Sequence, residues 1–163
     1  MKEELRQYLN SAISNKELNR KTVKRLKRMN KRQLDELFHR EHERVFQEID
    51  CLDCANCCKT TSPIFKDSDV RRIAKALKVK ESAFIDDYLK EDEDGDLVLT
   101  VAPCPFLGDD NKCFIYDYRP AACKGYPHTD RKNVAQLMNL TLKNAEICPA
   151  VARIFSHLNR LSS

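Results

Sequence analysis

The sequence predicts a mainly α-helical protein. An N-terminal helical arm or hairpin leads into a cysteine-rich core of irregular loops with a small β-hairpin, and a C-terminal helix closes the chain. Three observations carry this reading. No Gly or Pro occurs before Pro63, while all three glycines and six prolines fall between positions 63 and 149, so backbone punctuation is confined to the middle. Apolar residues recur at helical spacing at both ends. Eight cysteines lie between Cys51 and Cys148. At 163 residues the chain is expected to form a single domain, with a basic helical arm over 1–50, a cysteine-cluster core over 51–149 and a C-terminal helix over 150–163.

Leu5, Tyr8, Leu9, Ala12 and Ile13 share one helix face. Ser14 and Glu17 have capping-box spacing and predict the start of a second helix. That helix is expected to run to about Ile49, with Val23, Leu26, Leu34, Leu37, Phe38 and Val45 as its stripe. Beyond the first cysteines, Asp67 or Ser68 is expected to cap a helix burying Val70, Ile73, Ala74 and Leu77. A short helix over 82–89 follows. The acidic stretch 92–96 fails the calcium-loop test, because Gly95 at the sixth position would put Lys90 at the first. It reads as a polar turn before a short strand over 97–101. Val134, Leu137, Met138 and Thr141 predict another helix, and Pro149 opens the last, with Val151, Ile154, Phe155 and Leu158 inward.

The chemistry lies in the cysteines. Cys51, Cys54, Cys57 and Cys58 form a C-x2-C-x2-C-C array, followed by Cys104, Cys113, Cys123 and Cys148. Thiolates are the soft ligands that zinc and iron–sulfur clusters prefer. The first three match the C-x2-C-x2-C run of four-iron ferredoxin sites, and Cys104-Pro105 and Cys148-Pro149 resemble the Cys-Pro that ends such runs. Zinc knuckles use the same two-residue gaps. A [4Fe–4S] cluster is therefore preferred over zinc, and all eight cysteines are candidate ligands. A helical segment would put Cys51, Cys54 and Cys58 on one stripe, whereas a loop would group Cys51, Cys54 and Cys57. Either way one of the adjacent pair has another destination, so the set forms two sites or one site with structural thiols. Cys104, Cys113, Cys123 and Cys148 are expected to fold back onto the first loop, since the segment between them has few apolar residues of its own.

The N-terminus MKEELRQYLN is charged and no apolar run of signal-peptide or membrane length follows, so the expected compartment is the reducing cytoplasm, which disfavours four disulfides. The net charge of +4 selects no partner. Lys59, Lys112 and Lys124 adjoin cysteines, and Arg119 precedes Cys123 by one helical turn, where they would offset an anionic centre. Pro120 suits a helix start, placing Cys123 in an opening turn that favours a thiolate.

The stretches CLDCANCC, APCPFL, KCFIYDYRPAACKGYPH and ICP resemble the YkgJ-type cysteine-cluster family, a zinc- or iron-chelating domain, from Cys51 to about Pro149. The most specific positions are the four clustered cysteines with Ile115, Tyr116, Arg119, Pro120, Cys123 and Pro127. The resemblance implies a metal site. A related cluster occurs in flagellin lysine-N-methylase, which uses S-adenosylmethionine. This chain lacks a glycine-rich methyl-donor loop, its only glycines being Gly95, Gly108 and Gly125.

Arg119 and Tyr116 are the candidate cofactor-contacting residues, and Tyr126 is expected to pack beside Tyr116 over the site. His128 reads first as a polar turn residue and second as a ligand. His39 and His42 read as a solvated face, and Asp117 as a turn cap. Between Lys16 and Arg32 nine residues are basic and one, Glu17, is acidic. That run could meet phosphate backbone, but it lacks interleaved aromatics and reads first as a solvated face. Three functions follow: a cytoplasmic metal-binding protein with a structural or redox centre and an unidentified protein or redox partner; an enzyme or accessory related to the methylase; or a zinc-stapled nucleic-acid or protein interaction module.

Overall fold

A computed structural model describes residues 1–161. Among them are nine α-helices and one two-stranded antiparallel sheet, the mainly helical architecture with a small hairpin that the sequence predicts. The chain divides into two compact units, residues 1–54 with 127–163, and residues 55–126. No helix of the described residues is long and apolar enough to cross a membrane.

The first unit is all helical: α1 (Glu3–Ser14), α2 (Lys16–Leu26), α3 (Lys31–Glu48), α8 (Val134–Asn144) and α9 (Pro149–Arg160). Helix α9 packs against α1, α2 and α3, and α8 packs against α2 and α3. The amphipathic pattern of α9 drives this, because Val151, Ile154, Phe155 and Leu158 are all fully buried. Each such side chain contributes about 1.5–3 kcal/mol as an upper estimate. Leu34, Phe38 and Val45 from α3 and Val134 and Met138 from α8 complete the core.

Three expectations need correcting here. The second helix does not run through to Ile49. It stops at Leu26, and α3 restarts after Asn30, whose side chain accepts the Arg32 amide at 2.9 Å. Asn30 is a strong N-cap residue, and the turn re-aims the apolar stripe. The break near Ser14 is where expected but the capping box does not form. Asn15 is the N-cap, its amide donating back to the Ser11 carbonyl, and Glu17 pairs with Arg20 instead. Ile13 and Leu77, placed on buried stripes, are half-exposed because each lies in the last turn of its helix. Helix α9 begins at Pro149 and ends at Arg160. The part of the C-terminal helix expected at 162–163 lies outside the described residues.

The second unit holds α4 (Asn56–Thr60), α5 (Asp67–Leu77), α6 (Glu81–Tyr88), strands β1 (Leu89–Glu91) and β2 (Leu97–Leu99), a 3-10 turn at Tyr116–Tyr118 and α7 (Ala121–Gly125). The hairpin pairs Leu89 with Leu99 and Glu91 with Leu97. Its turn is the acidic stretch: Asp92 accepts the amides of Asp94 and Asp96, and Gly95 takes a φ of 80° that other residues resist. The strand after the turn ends at Leu99, short of the predicted Val101. Helix α5 begins after Lys66, whose amide is capped by Asp69 rather than by Asp67 or Ser68. Phe65, Val70, Ile73, Ala74, Phe84, Leu89, Leu99, Phe106 and Ile115 form this unit's core, with Cys104 and Cys113 packed against it.

Candidate metal centre

The cysteine array is neither one helix nor one loop. Cys51 opens a 3-10 turn that ends as the Cys54 amide bonds the Cys51 carbonyl at 3.1 Å. Ala55 then takes a left-handed conformation (φ 49°), and α4 starts immediately, carrying Cys57 and Cys58 with their sulfurs 4.0 Å apart. The reversal at Ala55 divides the array between the two units.

In the second unit four thiols come from distant segments. The Cys104 amide donates to the Cys58 carbonyl at 2.8 Å. The Cys104 carbonyl accepts the Leu107 amide, Leu107 pairs with Cys113, and Gly108 closes the intervening loop by donating to the Lys112 carbonyl at 2.8 Å. Burial of Phe106 and Ile115 on either side seats Cys104 and Cys113 on the core. Cys123 is the third residue of α7, entered through Pro120 as the sequence predicts, though Pro120 is the N-cap rather than the first helical residue.

Their electrostatics are those of a gathered set. Burial pushes the Cys104 thiol up to about 11 and Cys123 up to about 12, and raises Cys113. The charge of Cys58 raises each of them further. Cys58 goes the other way, lowered to about 7 by its hydrogen bond with Cys57, with Arg119 and Lys59 helping against burial. Burial thus favours the neutral thiol at Cys104, Cys113 and Cys123, while Cys57 and the nearby cations favour the thiolate at Cys58. A bound cation would supply the positive charge that lets the others ionise. Arg119 is the protein's own contribution of that sign. Its guanidinium carbon lies 3.5 Å from the centre of the Tyr116 ring, and its buried Nε has no hydrogen-bond partner among the described residues. Tyr116 itself is half-exposed, so its ring supports Arg119.

The first unit gathers three more. Cys54 is buried with its sulfur 3.8 Å from the Met1 sulfur. Cys148, the N-cap of α9, is buried and pushed up to about 12 by desolvation, with added contributions from Cys51 and Cys54. The later cysteines are thus divided as the first array is: Cys104, Cys113 and Cys123 lie in the second unit with Cys57 and Cys58, and Cys148 lies in the first with Cys51 and Cys54. Among the described residues no three Cys, His, Asp or Glu side chains converge closely enough to hold an ion as they stand. Closing a gathered set on an ion is work that metal-binding energy does.

Apart from Lys59, which helps lower the Cys58 thiol, the remaining candidates lie in other settings. His128 occupies a left-handed turn position (φ 66°) and burial lowers its pKa. His39 pairs with Glu43, and His42 meets the Thr129 hydroxyl at 2.8 Å. Lys59 donates to the Asn111 side chain and Lys112 pairs with Asp110. Asp117 lies within the 3-10 turn at Tyr116–Tyr118. In the basic run, Arg20 and Arg32 pair with nearby glutamates and Lys16 with Glu146.

Residues 50–149 match the CxxCxxCC family, described as "Putative zinc- or iron-chelating domain". The chain belongs to this family. The match takes in all eight cysteines with Tyr116 and Arg119, and leaves α1, α2 and α3 outside. No curated protein and no solved structure matches the chain. The donor chemistry fits the family's description: soft thiols, five of them in one compact unit, with an arginine in the same unit whose buried Nε has no hydrogen-bond partner among the described residues. A metal held there would supply charge compensation for the thiolates and, if iron, one-electron chemistry.

Sequence reasoning missed Asp69 and Arg72. They lie one turn apart on α5 and bond to the segment entering α7. An acid and a base at i and i+3 look like any exposed helix pair in sequence.

Proposed function

We propose that this protein chelates iron or zinc through Cys58, Cys104, Cys113 and Cys123 of the second unit, as a [4Fe–4S] cluster in preference to zinc, in a structural or redox role in the cytoplasm. The observation that carries this reading is that separate segments of one compact unit are tied at their cysteines: the Cys104 amide donates to the Cys58 carbonyl at 2.8 Å and Leu107 pairs with Cys113, with the buried Nε of Arg119 in the same unit. Four thiolates satisfy one tetrahedral zinc or one four-iron cluster. Cys104-Pro105, a Cys-Pro pair of the kind that ends ferredoxin runs, favours iron for this set; the C-x2-C-x2-C run does not bear on it, because Cys51 and Cys54 lie in the first unit and Cys57 is outside the four. Cys51, Cys54 and Cys148 form a separate group of thiols in the first unit and could hold a second centre.

Anaerobic purification from iron-replete cells, followed by elemental analysis, acid-labile sulfide assay and absorption spectroscopy, tests this. Brown protein with iron and sulfide in near-equal amounts is the expected result. Colourless protein with stoichiometric zinc under the same conditions reverses the choice of metal, and protein without either metal overturns the proposal.

A further inference from the structure

The corner of chain that delivers Arg119 and Cys123 has little structure of its own. It runs from the 3-10 turn at Tyr116–Tyr118 through Pro120 into α7, a helix of five residues. So short a helix does not hold itself in water. What holds this corner is a pair of side chains on α5. Arg72 Nη2 lies 2.5 Å from Asp69 Oδ1 and 2.8 Å from the Arg119 carbonyl oxygen, and Arg72 Nε lies 3.3 Å from the Tyr118 carbonyl oxygen. Asp69 Oδ1 also accepts the Ala121 amide at 3.1 Å. Pro120, between these bonded groups, has no amide to satisfy.

The pair differs from an ordinary surface i, i+3 contact. The Asp69 side chain is only 2% exposed, and Arg72 directs Nε and Nη2 to another segment's carbonyls while Nη1 donates to the Ser68 carbonyl of its own helix at 3.4 Å. A planar fork with fixed donor directions can hold a carboxylate and two carbonyls together, and an ammonium cannot reproduce that geometry. Two carbonyls before Pro120 and one amide after it are fixed by a single ion pair, so the directions in which residues 119 and 123 leave the corner are fixed with them.

We infer that Asp69 and Arg72 are positioning residues for the metal centre, holding the Tyr118–Ala121 corner so that the Arg119 guanidinium and the Cys123 thiol face the other three thiols. This rests on the metal-binding reading of the second unit. Outer residues that orient metal ligands change affinity about 10–100-fold when replaced.

The full chain, stripped and reloaded, is the material for the test. Zn²⁺ affinity is measured by competition with a chromophoric chelator, and thiolate ligation by the sulfur-to-metal absorption of the Co²⁺ form. Arg72→Lys keeps the charge at a partly exposed site and loses the fork; Asp69→Asn keeps the size and loses the charge. Ile73→Val, in the core of the same helix, controls for plain destabilisation. The expected result is a tenfold or greater loss of Zn²⁺ affinity and a weakened Co²⁺–thiolate band in Arg72→Lys and Asp69→Asn. Ile73→Val should lower the melting temperature and leave both readouts unchanged. Arg72→Lys is the deciding variant, since it leaves the buried carboxylate a cationic partner. Wild-type affinity and spectrum in Arg72→Lys, or an equal loss in Ile73→Val, overturns the inference while the metal reading stands. A wild-type protein that takes up neither Zn²⁺ nor Co²⁺ nor iron overturns both.

Discussion

The amide of Cys104 donates to the carbonyl oxygen of Cys58 at 2.8 Å. Through that bond the turn-rich segment carrying Cys104, Cys113 and Cys123 is joined to the α4 end of the first cysteine array, within one unit. It also makes Cys58, rather than Cys57, the backbone contact of the segment that begins at Cys104.

Removing one thiol of this set should therefore empty it. Cys104→Ser and Cys123→Ser are each expected to lose most of the metal bound in the second unit, whereas Cys148→Ser keeps it. Metal-to-protein ratios after anaerobic purification check this. A Cys148→Ser protein devoid of metal would show that the two groups of cysteines are not independent.

Metal removal should loosen a defined part of the chain. Ordering backbone costs about 1–2 kcal/mol per residue. Between Cys104 and Tyr126 only Phe106, Ile115 and Pro120 are buried. Hydrogen exchange on chelator-treated protein is expected to accelerate across 104–126 and to stay slow in α5 around Val70 and Ile73, which belong to the unit's core.

Acid should weaken the second unit through Asp69. Burial alone would raise its carboxyl, but the Arg72 hydrogen bond and the Lys66 and Ala121 amides more than offset this and hold it below 3.8. A carboxylate with a depressed folded value stabilises the fold above its ordinary range, and that stability is lost as pH falls below 3.8 towards the folded value. Asp69→Asn should cost about 1–3 kcal/mol at pH 7. In urea melts the gap between variant and wild type should narrow at pH 3; a gap that stays constant would remove Asp69 from the acid response.

Ala55 is held in the left-handed region that costs a residue with a Cβ about 1–2 kcal/mol. Glycine meets no such cost, although its unfolded state is freer by about 0.4–1 kcal/mol. Ala55→Gly is expected to leave stability unchanged or raise it by up to about 1 kcal/mol. A clear fall in melting temperature would mean that the Ala55 methyl, buried in the fold, matters more than the backbone angle.

The helices were legible because their signals are local. The stripe of Val151, Ile154, Phe155 and Leu158 behind Pro149 fixes α9, and the turn chemistry of Asp92 to Asp96 fixes the hairpin. Local signals are weakest where two compete, as at Asn30, where a single cap divides a continuous basic run into α2 and α3.

The sequence by itself determined that this is a mainly helical protein with a thiol-rich centre able to chelate soft metals, because residue type sets ligand chemistry and apolar spacing sets helical faces. Tertiary structure alone decided how the cysteines are divided between the two units. The left-handed step at Ala55 falls where the array passes from the first unit, with Cys51 and Cys54, to the second, with Cys57 and Cys58, and Cys148 belongs to the first unit behind α8, whose Val134 and Met138 are buried. The Asp69–Arg72 hold on the Cys123 corner was equally invisible, since its partners are backbone groups far away in sequence. Backbone direction and long-range hydrogen bonding carry no residue-type signature, so spacing can propose the ligands but only the folded chain can group them.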